Sequence, residues 1–228
     1  MNLRALLVAA ALSVSIFAGT ASAQIALNIG AVTDYVSRGV SQTNEGGAVQ
    51  GGIDMPIGPA YFGLWMSTVD YKDGTDAEFD MYLGVKPKWM GVSLDLALLN
   101  YTYLGGGNAG DKNYYEFKIA GSVPVGPATV GVATYYSPDF TGVGPHDAFY
   151  YELNVAMPVY RDFSVSGAIG KQHVQDKAGE YGTWNAGVTW APVDWMSVDV
   201  RYHDTDEHGL GATYEARYVA GVKFTKTF

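Results

Sequence analysis

Apolar and polar residues alternate along most of the chain, and the alternation runs longest at the C-terminal end. Between residues 214 and 228, one parity carries mainly apolar or aromatic residues, including Tyr214, Tyr218, Val222 and Phe228, and the other is mainly polar or small. A period of two predicts a strand with one apolar and one polar face. This segment is long enough to cross a bilayer, since a tilted transmembrane strand needs about 9–11 residues.

The same pattern recurs upstream, for example where Glu78 and Asp80 alternate with Phe79 and Met81. It predicts twelve strands, over residues 25–38, 48–55, 60–70, 77–86, 91–104, 113–123, 128–136, 148–157, 163–172, 181–191, 195–203 and 212–228. The third of these, 60–70, alternates poorly, so the pattern does not determine which of its residues face which side.

Five proline-containing segments recur at regular intervals. Their first prolines lie at positions 56, 87, 124, 158 and 192, so the intervals are 31, 37, 34 and 34 residues. Regular spacing indicates a repeated unit, here one strand up, a loop and one strand down. Because proline fixes φ and has no N–H to donate, each proline is expected to end a strand and form a tight turn. Longer polar loops are expected at the other strand ends, over residues 39–47, 71–76, 105–111, 137–147, 172–180 and 204–211.

Aromatic residues near the predicted strand ends decide between a soluble β-sandwich and a membrane barrel. The polar positions mix charges with Gly, Ala, Ser and Asn, whereas a soluble sandwich faces water with its outer polar residues. Two bands of Trp and Tyr around an apolar belt are typical of outer-membrane barrels. We assign one band to the proline turns and one to the loops: Tyr61, Trp89, Tyr160, Trp190 and Trp195 in the first, and Tyr35, Tyr71, Tyr101, Tyr103, Tyr114, Tyr135, Tyr136, Tyr181, Tyr202 and Tyr214 in the second.

A sheet in hydrocarbon must close on itself, because each unpaired backbone group is costly there. The sequence therefore predicts an all-β fold, a transmembrane antiparallel up-and-down β-barrel of twelve strands in the cell outer membrane. Short turns of such barrels face the periplasm, so we expect the acidic loops outside. The expected partners are outer-membrane lipid, lipopolysaccharide and the barrel-assembly machinery, for which Phe228 would be the assembly signal. The oligomeric state stays open.

The N-terminal residues have the pattern of a secretory signal peptide. Arg4 precedes an apolar run over residues 5–17, and Ala21-Ser22-Ala23 is a typical cleavage motif. We expect cleavage after Ala23, which divides the chain into a signal peptide, 1–23, and a barrel, 24–228.

The net charge of −9 argues against nucleic acid as a partner. With no cysteine, the chain has no disulfide and no Cys-ligated metal, and no cofactor is expected.

The polar parity of the predicted strands supplies candidate pore-lining residues. It carries nine acids and five bases, namely Asp34, Asp54, Glu78, Asp80, Asp95, Glu116, Glu152, Asp199 and Glu215 against Arg38, Lys118, Arg201, Arg217 and Lys223. Charge in a narrow pore selects ions by sign, so this excess of acid predicts a porin-like channel for small solutes or ions with a modest cation preference. A salt bridge between Glu116 and Arg217 would neutralise part of the wall.

Arg38 has two interpretations at this stage. It is either a charge that lines the pore or latches a loop, or a structural salt bridge to an acidic wall residue such as Asp54 or Asp80.

Chemistry other than transport would have to use the histidines. His203 and His208, among Asp204, Asp206 and Glu207, form a candidate metal site, but a solvated acidic loop is the simpler interpretation and no metal is assigned. A lipid-acting barrel enzyme needs a nucleophile and an oriented base. The sequence has no Gly-x-Ser-x-Gly motif, so no catalytic residue is assigned and no enzyme is expected. The alternatives to a channel are such an enzyme and a structural or adhesive barrel without conductance.

The first predicted hairpins also carry a family pattern. It consists of DYVSRGVSQT at 34–43, AVQGGID at 48–54, GLWMSTVD at 63–70 and EFDMY at 78–82. With these segments the chain resembles the TorF-type porin family of Gram-negative bacteria, most clearly over residues 25–90. Thr68 stands where that family is expected to have Asn. The resemblance implies an outer-membrane barrel that acts as a channel, and it supplies no substrate and no catalytic residue.

Overall fold

The computed structural model describes residues 24–107, 109–140, 146–175 and 180–228. The expected signal peptide, 1–23, with its cleavage motif, lies outside the described residues. The strands are β1 (Ala26–Val32), β2 (Val36–Ser37), β3 (Val40–Ser41), β4 (Ala48–Ile57), β5 (Ala60–Thr68), β6 (Thr75–Val85), β7 (Lys88–Trp89), β8 (Val92–Gly105), β9 (Tyr114–Val125), β10 (Ala128–Ser137), β11 (Ala148–Tyr160), β12 (Phe163–Val174), β13 (Tyr181–Val193), β14 (Met196–Thr205) and β15 (Arg217–Thr227).

Twelve of these strands form a closed antiparallel barrel, which confirms the predicted fold. Neighbours in the chain pair with each other, β6 pairs with β8 past the short β7, and β1 pairs with β15 to close the ring. The closing ladder covers all of β1, from Ala26 opposite Thr227 to Val32 opposite Gly221. The short β2 and β3 form a separate hairpin. Among the described residues, no helix has the length and apolar character needed to cross a membrane.

The first and last barrel strands differ most from their predicted bounds. β1 ends at Val32 rather than at residue 38, because the chain then turns into the barrel interior. β15 begins at Arg217 rather than at residue 212, because two short 3-10 helices, His208–Leu210 and Ala212–Tyr214, precede it. Alternation continues through both segments of sequence, so periodicity alone does not mark these strand ends.

In the first and third proline segments, the first proline lies in a strand and not in the tight turn, which corrects the prediction there. Pro56 and Pro124 lie inside β4 and β9, opposite Tyr61 and Thr129. The reversals come two residues later, at Gly58-Pro59 and Gly126-Pro127, where the glycine φ angles are 61° and 60°. In β11 the ladder shifts register between Pro158 and Tyr160. Proline has no N–H for the ladder, so it is tolerated at strand ends and bulges.

Alternation separates an outer from an inner face on each strand. In β6, Met81 and Leu83 are 41% and 54% exposed, whereas Glu78 and Asp80 are 2% and 1% exposed. β5, whose facing the sequence left open, turns Tyr61, Gly63 and Ser67 inward and Met66 outward. The outer face of the barrel is therefore apolar and the lumen is polar, as a wall in contact with lipid requires.

The aromatic bands follow strand parity rather than closeness to a strand end. At the turn end, Trp89, Tyr160, Trp190 and Trp195 are exposed as predicted, but Tyr61 is buried in the lumen. At the loop end, several tyrosines assigned to the outer band are buried inside instead: Tyr35, Tyr101, Tyr103 and Tyr181. Residues of the opposite parity, such as Tyr151, Trp184 and Tyr218, are exposed on the outside.

Candidate functional site

The connection between β1 and β4, residues 33–47, folds back into the barrel, and we call it the first loop. Within it, Val36 pairs with Ser41 and Ser37 with Val40. Arg38 and Gly39 form the tip, with φ angles of 49° and 83°. Positive φ at both central residues is the geometry of a tight hairpin turn whose twist matches that of its strands.

The first loop crosses the lumen. At its tip, a Cβ on Gly39 would collide with Thr183 Oγ1 and lie 2.8 Å from Thr205 Cγ2, so glycine is required against this wall. Thr183 and Thr205 are buried residues of β13 and β14. At the other side of the loop, the Tyr35 hydroxyl donates to Glu78 Oε1 of β6 at 3.1 Å. The first loop therefore spans the interior between opposite parts of the barrel wall.

Arg38 anchors the tip to the wall. Its Nη1 and Nη2 donate to the two carboxylate oxygens of Glu116 at 2.8 and 2.6 Å, and Nη1 also donates to Gln172 Oε1 at 3.2 Å. The guanidinium lies 4.9 and 4.5 Å from the ring centroids of Tyr135 and Tyr150. Arg38 is thus a latch between the loop and four strands, β9 to β12, and its salt-bridge partner is Glu116 rather than Asp54 or Asp80.

Asp34 holds the base of the first loop. Its Oδ1 accepts hydrogen bonds from Ser41 Oγ at 2.6 Å and Thr43 Oγ1 at 2.8 Å. Its Oδ2 accepts from Arg217 Nη1 of β15 at 2.8 Å. Arg217 is therefore paired with Asp34, which corrects the expected pair with Glu116. Asp34 itself belongs to the loop rather than to a strand wall.

Glu78 and Asp80 form an acidic pair under the first loop. They share the inner face of β6, and the Asp80 carboxyl lies against those of Glu78 and Glu116. Neither oxygen of Asp80 accepts a hydrogen bond from a donor group among the described residues, and its carboxyl is within hydrogen-bonding reach of that of Glu78. Burial raises the pKa of the Tyr35 hydroxyl well above its ordinary value, and the charges of Glu78 and Asp80 add to that rise, so Tyr35 stays a donor.

In the turn-end half of the lumen, polar side chains pair between strands that are neighbours or one strand removed in the barrel. Asp95 accepts hydrogen bonds from Lys118 Nζ at 2.8 Å and from the Tyr61 hydroxyl at 2.7 Å. Asp54 accepts from the Tyr82 hydroxyl at 2.6 Å. These contacts hold aromatic and charged groups against the wall.

A second polar cluster surrounds Arg201. Its Nε and Nη2 donate to Asp199 at 3.1 and 3.0 Å, and its other contacts include Asn185 and Ser166. On the inner face of β11, Glu152 accepts from the Tyr150 hydroxyl and the Asn154 amide at 3.2 and 2.9 Å.

The two halves of the lumen differ in accessibility. At the loop end, Tyr101, Glu116 and Gln172 are buried, with exposed fractions of 5%, 2% and 1%. At the turn end, Lys223 is exposed on the inner parity of β15, and the side chain of Asp199 is 32% exposed. The lumen is therefore accessible from the turn end and filled by the first loop and its neighbours at the loop end.

Glu215 does not belong to the barrel wall, which corrects its assignment. It precedes β15, after a 3-10 helix, and its side chain is 53% exposed. Conversely, sequence reasoning missed Gln172, Tyr135 and Tyr150, which contact the Arg38 latch, because the candidates were chosen by charge. Strand parity could have placed two of them inside, because Gln172 shares the parity of Gly170 and Tyr150 shares the parity of Glu152.

The structure does not bring His203 and His208 to one site. His203 faces the lumen and is 8% exposed, whereas His208 lies in a 3-10 helix outside the strands. His208 Nε2 is 2.9 Å from Asp204 Oδ1, and this hydrogen bond raises the pKa of the imidazole. Among the described residues, no group of three or more His, Cys, Asp or Glu side chains is arranged to hold a metal.

Comparison with known proteins gives a family and a set of similar folds. A family model described as "Bacterial protein of unknown function (Gcw_chp)" matches residues 17–228. No curated protein matches the chain.

The similar solved structures are outer-membrane barrels. KdgM porin superposes with a TM-score of 0.62 at 9% identity, covering 87% of this chain and 98% of KdgM. NanC porin gives 0.61 at 11% identity, with coverage of 87% and 98%. The COG4313 outer membrane channel from Pseudomonas putida F1 gives 0.55 at 9% identity, with coverage of 92% and 97%. At these identities the likeness shows the fold.

Proposed function

We propose that this chain, which belongs to the Gcw_chp family of bacterial proteins of unknown function, forms a narrow outer-membrane channel with a modest preference for cations. Small solutes or ions would diffuse passively through it, and the first loop would form its constriction. The porin-like fold and the resemblance to TorF-type porins support a channel, and the acidic loops would face outward.

The charge of the inner wall carries this proposal. Without Glu215, the candidate residues comprise eight acids and five bases. Four of the bases form ion pairs, Arg38 with Glu116, Lys118 with Asp95, Arg201 with Asp199, and Arg217 with Asp34. The candidate wall has three more acids than bases, and the acids outside these four pairs are Asp54, Glu78, Asp80 and Glu152. Because charges that line a narrow pore select ions by sign, the wall favours cations.

The acidic wall also bears on which solutes could pass through the proposed channel. A solved structure of KdgM porin is described as a complex with disordered oligogalacturonate. Galacturonate units carry carboxylates, and an acidic wall would repel them. We therefore propose small cations and neutral solutes, rather than acidic sugars, as the permeant species.

A planar-bilayer recording with a KCl gradient tests the channel and its selectivity together. We expect small, ohmic single-channel steps and a reversal potential of the sign that potassium permeation produces. Raising the salt concentration should weaken the preference, because the Debye length falls from about 10 Å at 0.1 M to about 3 Å at 1 M. A reversal potential of the chloride sign would contradict the selectivity.

A barrel without conductance is the second candidate, because the loop-end half of the lumen is filled by buried side chains. Absence of current from protein that is folded and inserted would favour it. A lipid-acting enzyme has less support, since His203 lies inside the lumen and away from the lipid-facing surface.

Assembly is the remaining part of the proposal. We propose that the barrel-assembly machinery reads Phe228, and that outer-membrane lipid and lipopolysaccharide contact the apolar outer face.

A further inference from the structure

The pair of acids under the first loop has a charge that its surroundings do not balance. Glu78 and Asp80 are 2% and 1% exposed. The charges that act on Asp80 are those of the Glu78 and Glu116 carboxylates, and Arg38 is committed to Glu116 through two hydrogen bonds. A buried carboxylate is costly unless it is paired or coordinates a metal.

Asp80 provides the second observation. Both of its oxygens are buried and receive no hydrogen bond from a donor group among the described residues, and the side chain within hydrogen-bonding reach is the Glu78 carboxyl, itself an acceptor when ionised. Buried polar groups are almost always satisfied, and an exception calls for an explanation such as an ion. Glu78, in contrast, is oriented by phenols, since Tyr35 donates to it at 3.1 Å and Tyr103 also hydrogen-bonds it. The unsatisfied oxygens of Asp80 thus lie next to a carboxylate that is held in place.

We propose that Glu78 and Asp80 bind one hard divalent cation, Mg²⁺ or Ca²⁺, beneath the first loop. Both ions prefer oxygen ligands, and Mg²⁺ is commonly held by one or two carboxylates while it keeps several waters. Two adjacent negative charges match a divalent ion better than a monovalent one. Because Tyr35 of the first loop donates to Glu78, the bound ion sits at the contact between the loop and the wall. The site does not depend on whether the barrel conducts, but a bound divalent ion would neutralise Glu78 and Asp80, two of the acids counted for the proposed cation preference.

Terbium luminescence tests the site on the folded full-length barrel in detergent. Tb³⁺ also prefers oxygen ligands, and aromatic rings close to a bound Tb³⁺ sensitise its emission. Tyr35 and Tyr103 contact Glu78, so binding there should give emission on excitation of the protein. We expect about one sensitised Tb³⁺ per chain, displaced by Mg²⁺ or Ca²⁺.

Asp80→Asn and Glu78→Gln keep side-chain shape and remove one charge each. Each should weaken Tb³⁺ binding on the order of tenfold or more, since affinity depends on the charge of the ligands. Asp76→Asn is the matched control, because it removes an exposed carboxylate from the same strand. Its binding should equal that of the wild type. The shift of heat-treated samples on SDS gels would verify that each variant is folded.

Three results would overturn the proposal. The first is no sensitised emission from the wild-type barrel. The second is equal loss of binding in Asp76→Asn and Asp80→Asn, which would locate the ion on the acidic surface. The third is a higher Tm for Asp80→Asn, with a wild-type Tm that does not respond to Mg²⁺ or Ca²⁺. That result would show that the two acids share a proton instead.

Discussion

At the scale of single residues, hydrogen-bond partners set the pKa of an ionisable side chain, and His208 is the clearest case. Its imidazole contacts Asp204 at 2.9 Å and lies 3.8 Å from Glu215, and the hydrogen bond to Asp204 raises its pKa above the ordinary value of 6.5. In the same area, the Tyr202 hydroxyl donates to the Asp204 carboxylate, and the Arg217 side chain donates to the backbone carbonyl of Glu215. A raised pKa in the folded state stabilises this loop fully below pH 6.5, and that stabilisation is lost as pH rises through the folded pKa.

The upward shift of the His208 pKa predicts that residues 206–216 become more mobile as the pH rises above 6.5. An NMR titration of the His208 ring should give a pKa above the ordinary value, and Asp204→Asn should lower it. His146→Gln changes an exposed loop histidine and should leave the His208 titration unaltered. An identical His208 pKa in the wild type and Asp204→Asn would refute the role of Asp204.

At the scale of elements, the first loop depends on one buried ion pair. Arg38→Met removes the guanidinium and leaves the Glu116 carboxylate buried without its partner. Losing one member of such a pair typically costs about 3–5 kcal/mol, so the loop should leave its place and the single-channel conductance should rise. Arg161→Met is the matched control, since Arg161 lies in an exposed turn after β11.

The double variant Arg38→Met/Glu116→Gln separates the effect of an unpaired Glu116 charge from the effect of losing the Arg38 side chain. It leaves no unpaired ion, so it should recover part of the thermal stability that Arg38→Met loses. Conductance of Arg38→Met equal to that of the wild type would show that the first loop does not restrict the pore.

At the scale of the whole molecule, closure depends on the pairing of β1 with β15. The backbone N–H of Phe228 donates to Ile25 O at 3.0 Å, just beyond the last ladder pair. Deleting Phe228 removes this bond and the proposed assembly signal, so less folded, protease-resistant barrel should reach the outer membrane. Phe228→Tyr retains an aromatic ring and should assemble as the wild type does. Equal amounts of protected barrel from the truncated and full-length chains would rule out this role.

Sequence periodicity was sufficient to predict the inner and outer faces of most of the wall, because contact with lipid on one side imposes a strict alternation of apolar and polar residues. The alternation of Glu78 and Asp80 with Phe79 and Met81 is a direct consequence, and it holds in the structure. It was insufficient for the first loop, since Asp34 and Arg38 continue the parity of β1 although the strand stops at Val32. Glu215 was misplaced for the same reason. The aromatic bands were partly wrong because closeness to a strand end does not determine which face a ring occupies.

The amino-acid sequence by itself determined the twelve barrel strands, their approximate spans, the facing of most of them and the closed membrane barrel. These follow from local alternation and from the need to pair every backbone group in hydrocarbon. Only the tertiary structure decided which charges meet. Arg38 and Glu116 are 78 residues apart, and Arg217 and Asp34 are 183 apart. Their pairing depends on ring closure and on the inward fold of the first loop, and neither leaves a periodic signal in the sequence.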